Sequence, residues 1–280
     1  MKFKKKKAIR ICAELASAGI CMENSQIKIN PTKLGEHSMF RISERNIKKY
    51  KDLKIDNNCD LMKIKSEYFI YVAVPVAKEP LKIPETFCGI DPGLRTFMTV
   101  YSNHGIYEYN QCDEPRLQLN LKINLLKNRK CLKKKHKKSR VKKCAISKRE
   151  ERRSNLTDEL HWTVINDLVR KNDLILYGDI KSHDIVKDGK NKFNNKRFND
   201  TKFYVFKQRL MYKALRSGKK VIPVCERYTT KGCSKCGNVK HDVGSNKTYY
   251  CDILECAFVH DRDINSSKNI MMKGMIPITG

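Results

Sequence analysis

The sequence predicts a mixed α/β fold, and three observations lead to that prediction. Runs of β-branched and aromatic residues alternate with segments of helical periodicity along most of the 280 residues. A long, strongly basic helical segment interrupts the strands, and two pairs of cysteines stand shortly before the last predicted helix. Apolar residues make up 40% of the chain, which is typical of a globular protein.

The predicted strands are short apolar runs bounded by turn-forming residues. They follow a basic, weakly periodic segment over residues 1–57 that allows little assignment, and residues 78–84 form a predicted linker. The strands are Tyr68–Val76, two runs on either side of a turn at Pro92-Gly93, 104–109, 173–180 and 221–224.

Two helices are predicted to form a hairpin inserted between the strands, over residues 115–172. Leucines at i+4 spacing predict the first amphipathic helix, and a second is predicted from about residue 155. Between them, residues 127–153 carry fifteen Lys or Arg against two Glu, so this tip is predicted to be a solvated helix or loop that faces phosphates. The apolar positions are Leu117, Leu121 and Leu125, then Leu156, Leu160, Val164 and Leu168.

The remaining segments complete the alternation. Residues 188–200 are predicted to be a polar loop, residues 204–216 a helix, and the last helix is predicted to begin near Asp263.

The charge balance indicates a polyanionic partner. Lys and Arg number 59 against 30 acidic residues, which gives a formal net charge of +29. Such an excess repels itself unless a polyanion neutralises it, so nucleic acid is the expected partner. The alternative is a basic protein from a lysine-rich proteome.

Two cysteine pairs have the spacing of a zinc ribbon. Cys233 and Cys236 form C-S-K-C, and Cys251 and Cys256 form C-D-I-L-E-C. A tetrahedral zinc site takes four thiolates, and each pair must come from a tight turn. The alternative is that they are ordinary buried cysteines.

The other eight cysteines are scattered along the chain, as free thiols are in a reducing compartment. They are Cys12, Cys21, Cys59, Cys88, Cys112, Cys131, Cys144 and Cys225. An intracellular protein is therefore expected, with cytoplasm or nucleus left open.

No membrane partner is expected. The basic run Lys4–Lys7 precedes a mildly apolar stretch, as in a signal peptide, but Arg10 and Glu14 interrupt that stretch. No segment approaches the length that crosses a bilayer.

Several acidic residues stand where predicted strands end or helices begin. Asp91 ends an apolar strand, Asp179 follows L-I-L-Y-G, Glu226 follows V-I-P-V-C, and Asp261 and Asp263 open the last helix. Converging carboxylates of this kind bind a pair of Mg²⁺ ions. Taken singly, each is also typical of a turn or a helix cap, and Asp263 could be an N-cap.

The ordered motifs C-G-I-D-P-G-L-R-T-F, T-T-K-G-C-S-K-C-G and D-R-D-I-N-S-S-K-N-I resemble the RuvC-like nuclease of the transposon-encoded TnpB and Fanzor proteins. That group is related to type V CRISPR nucleases, and the resemblance covers roughly residues 60–275. It implies an RNase H-like (RuvC) fold with the zinc ribbon inserted before the last helix. It also implies an RNA-guided DNA endonuclease that uses magnesium for catalysis and zinc for structure, with target DNA and a guide RNA as partners.

Carried over residue by residue, the resemblance makes Asp91 the first catalytic carboxylate and Asp263 the last. The middle motif departs from the usual bacterial pattern, because Gly178 stands where a glutamate precedes Asp179. Glu226, in C-E-R-Y-T-T-K-G-C, fits the rearranged pattern of Fanzor-like members and is the expected third carboxylate, with Asp179 as the alternative. If neither serves, the chain is a nucleic-acid-binding protein with a decayed active site.

The resemblance also suggests a domain organisation. Residues 1–84 form a shortened N-terminal nucleic-acid-binding segment, 85–228 and 258–280 form the nuclease domain, and 229–257 form the zinc ribbon. Ninety residues precede Asp91, fewer than in typical family members, so the chain is either a minimal form or one that has lost guide-binding parts. A transposase that joins DNA ends directly ranks last, because no tyrosine or His-hydrophobic-His signature for that chemistry is present.

Overall fold

The computed structural model of the protein describes residues 10–23, 26–30, 39–41, 50, 54–64, 67–75, 79–81, 83–110, 113–128, 136–180, 192–244 and 246–279. The chain divides into two compact units, residues 1–77 and 78–280. The predicted division of the second unit into nuclease domain and zinc ribbon stays a prediction.

The described part of the first unit contains two antiparallel three-stranded sheets. One has the order β1-β5-β6 and the other the order β2-β3-β4. The predicted strand Tyr68–Val76 corresponds to the last of these strands, which ends four residues earlier. The strands are β1 (Arg10–Leu15), β2 (Ile20–Glu23), β3 (Gln26–Ile29), β4 (Met39–Arg41), β5 (Cys59–Ile64) and β6 (Glu67–Val72).

The second unit is built on a mixed five-stranded sheet with the order β11-β10-β7-β8-β9. The three strands on one side of the sheet are parallel to one another, and the hairpin strands β8 and β9 add antiparallel. All five strands were predicted. They are β7 (Phe87–Pro92), β8 (Thr96–Ser102), β9 (Gly105–Asn110), β10 (Leu174–Gly178) and β11 (Lys220–Val224).

Helices cover both faces of this sheet, because its central strands are apolar on both sides. The described helices are α1 (Asp113–Asn128), α2 (His136–Lys171), α3 (Lys192–Thr201), α4 (Phe203–Arg216) and α5 (Arg262–Thr279). On one face, Ile165 of α2 and Phe206 of α4 join Ile90 in the main core. On the other face, Ile270 of α5 packs in a smaller cluster with Leu176 and Val224.

The predicted helical hairpin is present, but two of its details were wrong. The second helix is continuous over 36 residues from His136, so it runs through most of the basic segment rather than starting near residue 155. In α1 the leucine stripe faces solvent, with Leu125 at 69% exposure, while Ile123 and Arg116 are buried. Arg116 donates to the Thr157 hydroxyl of α2 at 3.3 Å, so a polar contact anchors the hairpin. Residues 129–135 of the tip lie outside the described residues.

The predicted polar loop over 188–200 was also wrong where the structure describes it. Helix α3 occupies that segment because tertiary contacts support it: Phe198 is buried in the main core, and Asp200 pairs with Arg153 at 3.2 Å. A short polar helix depends on such contacts, which composition does not reveal. Residues 188–191 lie outside the described residues.

The segment between β11 and α5 contains a small hairpin, β12 (Thr248–Tyr250) with β13 (Val259–Asp261). The last helix begins at Arg262, one residue before the predicted start. Among the helices that the structure describes, none combines the length and the apolar character needed to cross a bilayer.

Candidate active site

The carboxyl ends of three parallel strands bring predicted site residues to one edge of the sheet. Asp91 is the fifth residue of β7, Asp179 follows β10, and Glu226 lies two residues beyond β11. Strand register aligns these ends, since Ile90 pairs with Tyr177 and Gly178 pairs with Val224. This edge is where α/β sheets generally place their functional residues.

Helix α5 brings Asp263 to the same edge by packing directly against β7. A Cβ atom on Gly89 would lie 2.2 Å from the Ser267 carbonyl oxygen and 2.6 Å from the Met271 backbone nitrogen. Only glycine therefore allows this close approach of helix and strand. The first turn of α5, which contains Asp263, consequently lies over the end of β7.

The cap of α5 is Asp261 and not Asp263. A carboxylate oxygen of Asp261 accepts hydrogen bonds from the backbone N–H groups of Asp263, at 2.9 Å, and Ile264, at 3.3 Å. This is the ordinary N-cap arrangement. The Asp263 side chain is left for other contacts, and one of its oxygens lies 3.6 Å from Arg262 Nε.

Three of the carboxylates repel one another electrostatically. Burial raises the pKa of Asp91 well above its usual value, and the charges of Glu226 and Asp263 raise that pKa further. A hydrogen bond from Ser266 and the charge of Arg262 act in the opposite direction. Clustered anions of this kind are stable when a cation neutralises them.

Glu226 lies directly beside Gly178. A Cβ atom on Gly178 would lie 2.5 Å from Glu226 Oε1, so the glutamate occupies the space that a side chain at position 178 would need. This oxygen is buried and has no hydrogen-bond partner among the described residues. Burial and the charge of Asp179 raise the pKa of Glu226 to about 7.

Asp179 has a different environment. Its carboxylate accepts a hydrogen bond from Lys207 Nζ of α4 at 2.6 Å, and the pair is partly exposed. The ammonium group therefore already neutralises Asp179, whereas Glu226 has no such partner among the described residues. The geometry favours Glu226 over Asp179 as the residue free to bind a cation.

The four predicted cysteines form a separate cluster. Cys233 Sγ lies 3.8 Å from Cys256 Sγ, and Cys236 Sγ lies 3.6 Å from Cys251 Sγ. All four sulfur atoms lie within 4.8 Å of one another, and within the described part of the chain this is the only group of ligand atoms that converges so closely. Tetrahedral Zn–S bonds of 2.3 Å would place sulfurs about 3.8 Å apart, so the cluster fits zinc.

Asparagines of α5 attach the first cysteine pair to the helix that carries Asp263. Asn265, which is buried, accepts from the Ser234 backbone N–H at 2.9 Å and donates to the Gly232 carbonyl at 2.8 Å. Asn269, one turn later, donates to the carbonyls of Thr229 and Gly232 at 2.8 and 2.7 Å. The cysteine cluster and the carboxylate cluster consequently share one helix.

Comparison with known proteins shows which proteins this chain is similar to. Residues 203–270 match the family model described as "Cas12f1-like, TNB domain". Over 228 residues the chain is 31% identical to "TnpB-like protein L79" of Acanthamoeba polyphaga mimivirus, an alignment that covers 75% of this chain and 42% of the relative. The chain is therefore similar to TnpB-like proteins over most of its own length. It spans less than half the length of this curated relative.

Solved structures with a similar fold support the predicted architecture of this TnpB-like chain. A Cas12f1 protein, in the "Cryo-EM structure of the Cas12f1-sgRNA-target DNA complex", has a TM-score of 0.54 at 16% identity, covering 83% of this chain and 52% of that one. The "mini-RNA-guided endonuclease CRISPR-Cas_phi3" has a TM-score of 0.51 at 13% identity, covering 89% and 57%. The predicted RuvC-like α/β fold is confirmed.

Sequence reasoning did not identify several residues that shape the site. Gly89 admits α5, Ser266 and Lys207 bind carboxylates, and Asn265 ties the cysteine cluster to the helix. The asparagines at i and i+4 in α5 follow Asp263 closely in the sequence and offered a detectable pattern. Gly89 and Lys207 offered none, because their roles depend on packing between distant segments.

Proposed function

We propose that this TnpB-like chain contributes the catalytic unit of an RNA-guided DNA endonuclease. The observation that carries the proposal is the cluster of Asp91, Glu226 and Asp263 at one sheet edge, where the pKa values of Asp91 and Glu226 are raised and a buried oxygen of Glu226 has no hydrogen-bond partner among the described residues. Arg262 lies 3.6 Å from Asp263, but among the described residues Glu226 has no ion-pair partner such as Lys207 provides for Asp179. Such a site is suited to divalent cations.

The residues present fit magnesium, which prefers carboxylate oxygens. Asp91, Glu226 and Asp263 would hold it. Bound magnesium in such a site activates water and stabilises the leaving oxygen of a phosphodiester. The protein's own contribution is positional: Ser266 and Arg262 orient the carboxylates of Asp91 and Asp263, and the glycine contact at position 89 fixes the helix that carries them.

The cysteine cluster has a structural role in this proposal. Zinc bound by four thiolates leaves no open coordination position for a substrate. Through Asn265 and Asn269 it would hold the start of α5 in place. Zinc would therefore support the active site without taking part in the reaction.

The basic surface of α2 would hold the nucleic acid. Lys143, Lys148 and Arg152 are exposed along this helix, in a chain whose net charge is +29. Contacts of lysine and arginine with phosphates provide affinity without reading sequence. Sequence would be read by pairing between a guide RNA and the DNA, as in the RNA-guided proteins to which the fold is similar.

The guided activity is tested by expressing the chain with its native flanking DNA, purifying it, and sequencing the RNA that comes with it. We expect one discrete RNA, and magnesium-dependent cleavage of DNA that matches it. A scrambled DNA of equal length is the control. Heterogeneous RNA with no matched cleavage would contradict the proposal and favour a nucleic-acid-binding protein with a decayed site.

A further inference from the structure

A cleft directly beside Glu226 has features that the carboxylate chemistry does not require. It is lined by Glu226, Arg227, Tyr228, Thr230 and Lys231, and its volume is about 360 Å³. The lining therefore combines one acidic group of the site with two cations, a hydroxyl and an aromatic ring. These are the groups that proteins use to hold a nucleotide by its phosphate and its base.

Tyr228 has a backbone conformation that tyrosine rarely adopts. Its φ angle is +66°, in the left-handed region that favours glycine or asparagine. Two hydrogen bonds fix this conformation, because the backbone N–H groups of Lys231 and Gly232 both donate to the Tyr228 carbonyl, at 3.0 and 2.7 Å. Residues held in such conformations are concentrated at functional sites.

The flanking backbone is fixed as well. The Glu226 carbonyl accepts from the Thr229 backbone N–H at 3.1 Å and from the Thr229 hydroxyl at 2.8 Å. Lys273 of α5 donates to the Arg227 carbonyl at 3.1 Å. Hydrogen bonds thus connect residues within the turn that carries Tyr228, and one more attaches this turn to helix α5, which contains Asp263.

Burial of the tyrosine ring does not explain this arrangement. The Tyr228 side chain is 66% exposed, so the disfavoured backbone is not offset by packing of the ring in the core. Arg227 and Lys231 are exposed on either side, and neither forms an ion pair within the described part of the chain. An aromatic surface and two cations therefore face solvent in the cleft beside Glu226.

We propose that this cleft is a nucleotide subsite, in which an unpaired base of the DNA strand being cut stacks on Tyr228 while Arg227 and Lys231 contact the adjoining phosphates. The base must be unpaired, because only a single-stranded nucleotide presents its face to a protein ring. The two cations also offset the repulsion between the backbone phosphates and the carboxylates. This inference rests on the proposed nuclease function and names a residue that positions its substrate.

The test separates binding from cleavage by using the full chain with Asp91→Asn, in buffer without added magnesium. The probe is a single-stranded DNA oligonucleotide that carries 2-aminopurine, whose fluorescence is quenched on stacking. We expect Tyr228→Ala to weaken binding about tenfold and to abolish the quenching, because stacking on an aromatic ring contributes about that much per base. Tyr228→Phe should restore both.

Two further variants serve as controls. Tyr212→Ala removes another exposed tyrosine, on α4 and outside the cleft, and should leave binding and quenching unchanged. Tyr228→Gly removes the ring and also relieves the backbone, so it should raise the thermal midpoint while weakening binding. A purely structural role for Tyr228 predicts the opposite change in thermal midpoint.

The outcomes distinguish this inference from the proposed function. If Tyr228→Ala binds and quenches like the parent, or if Tyr228→Phe is as weak as Tyr228→Ala, the subsite is wrong even though the chain with Asp91 intact cleaves DNA. If the binding results are as expected but the chain with Asp91 intact cleaves nothing, the subsite stands and the nuclease proposal fails.

Discussion

At the scale of single residues, the Glu226 side chain occupies space that is free only because residue 178 is a glycine. The Glu226 oxygen lies 2.5 Å from the place of a Cβ atom on residue 178, so a side chain there would displace it. In the common bacterial pattern the carboxylate comes from the strand residue itself. Here it reaches the same space from the loop after β11.

Since the two positions share one space, we expect that a glutamate at position 178 can partly replace the glutamate at position 226. Glu226→Gln should lower cleavage by at least about 100-fold, because the lost group would bind the cation directly and even the loss of an indirect partner of a metal costs about 10- to 100-fold. Gly178→Glu alone should also be inactive, whereas Gly178→Glu combined with Glu226→Ala should regain part of the activity. Single-turnover cleavage rates measure this series.

Asp179→Asn is the matched control, since Asp179 is already paired with Lys207. We expect it to retain most of the cleavage rate. Loss of activity in Asp179→Asn with Glu226→Gln unaffected would reverse the assignment of the third carboxylate.

His161 is a buried residue whose protonation state follows from its partners. Its Nε2 lies 2.9 Å from the Thr201 carbonyl, which can only accept, so Nε2 carries the proton and Nδ1 accepts from Arg209 at 3.1 Å. Burial lowers the pKa of His161 from 6.5 to about 4, and the charge of Arg209 also lowers it, while the Thr201 hydrogen bond and Asp158 act in the other direction. The folded protein therefore needs the neutral ring.

This shift predicts a loss of stability on acidification. Between pH 6.5 and 4 the unfolded chain binds one proton that the folded chain does not, so the free energy of unfolding falls as the pH falls. In His161→Gln, which keeps a donor for Thr201 but does not titrate, the fall between pH 7 and 5 should be smaller by about 2 kcal/mol. Urea denaturation at both pH values measures the difference, and parallel curves for the two proteins would contradict it.

At the scale of elements, α5 connects the cysteine cluster with the carboxylates. Its first turn carries Asp263, its asparagines bind the chain around Cys233, and its glycine contact with β7 sets its position. Metal bound by the four thiolates would contribute to folding free energy directly, because the loops between them have little core of their own.

Loss of one thiolate should therefore destabilise helix α5 as well as the cysteine cluster. Cys236→Ser should lose bound zinc and lower the thermal midpoint by on the order of 10 °C. Cys225→Ser is the control, since this exposed cysteine lies outside the cluster and should change neither value. Zinc analysis together with calorimetry tests the pair, and a Cys236→Ser protein with full zinc and an unchanged midpoint would contradict the structural role.

Sequence patterns predicted these elements with uneven success, for identifiable reasons. Strand β7 and the start of α5 were predictable because apolar runs and turn residues are local features. The exposed leucine face of α1 was not, since periodicity shows that a helix has two faces but not that Arg116 and Ile123 are the ones buried. Helix α3 was missed because its support comes from Arg153 and the distant core.

For the site, too, the sequence predicted some features and left others open. The cysteine spacing predicted a convergence that the sulfur distances bear out. The choice between Glu226 and Asp179 stayed open in the sequence, because it depends on Lys207, which lies 28 residues from Asp179 and pairs with it only in the folded chain. Long-range ion pairs of this kind have no local sequence pattern.

At the scale of the whole molecule, the net charge of +29 makes binding to nucleic acid dependent on salt. Each neutralised phosphate contributes about 0.9 to the slope of log K against log salt concentration. Replacing Lys143, Lys148 and Arg152 of α2 with alanine should reduce that slope by up to about 3. Arg170→Ala, at the other end of the helix, is the control and should change the slope by less than one.

Titration of a fluorescent DNA at several salt concentrations provides these slopes. An unchanged slope in the triple variant would mean that this face of α2 does not contact phosphates.

The most direct test of the catalytic assignment is magnesium-dependent cleavage by the wild-type chain and by Asp91→Asn, each purified with its own RNA and given matched DNA. We expect cleavage by the wild type in magnesium and none when magnesium is omitted. We expect no cleavage by Asp91→Asn, although that variant should bind the same RNA and DNA with equal affinity. Cleavage by Asp91→Asn at the wild-type rate would contradict the assignment of the site.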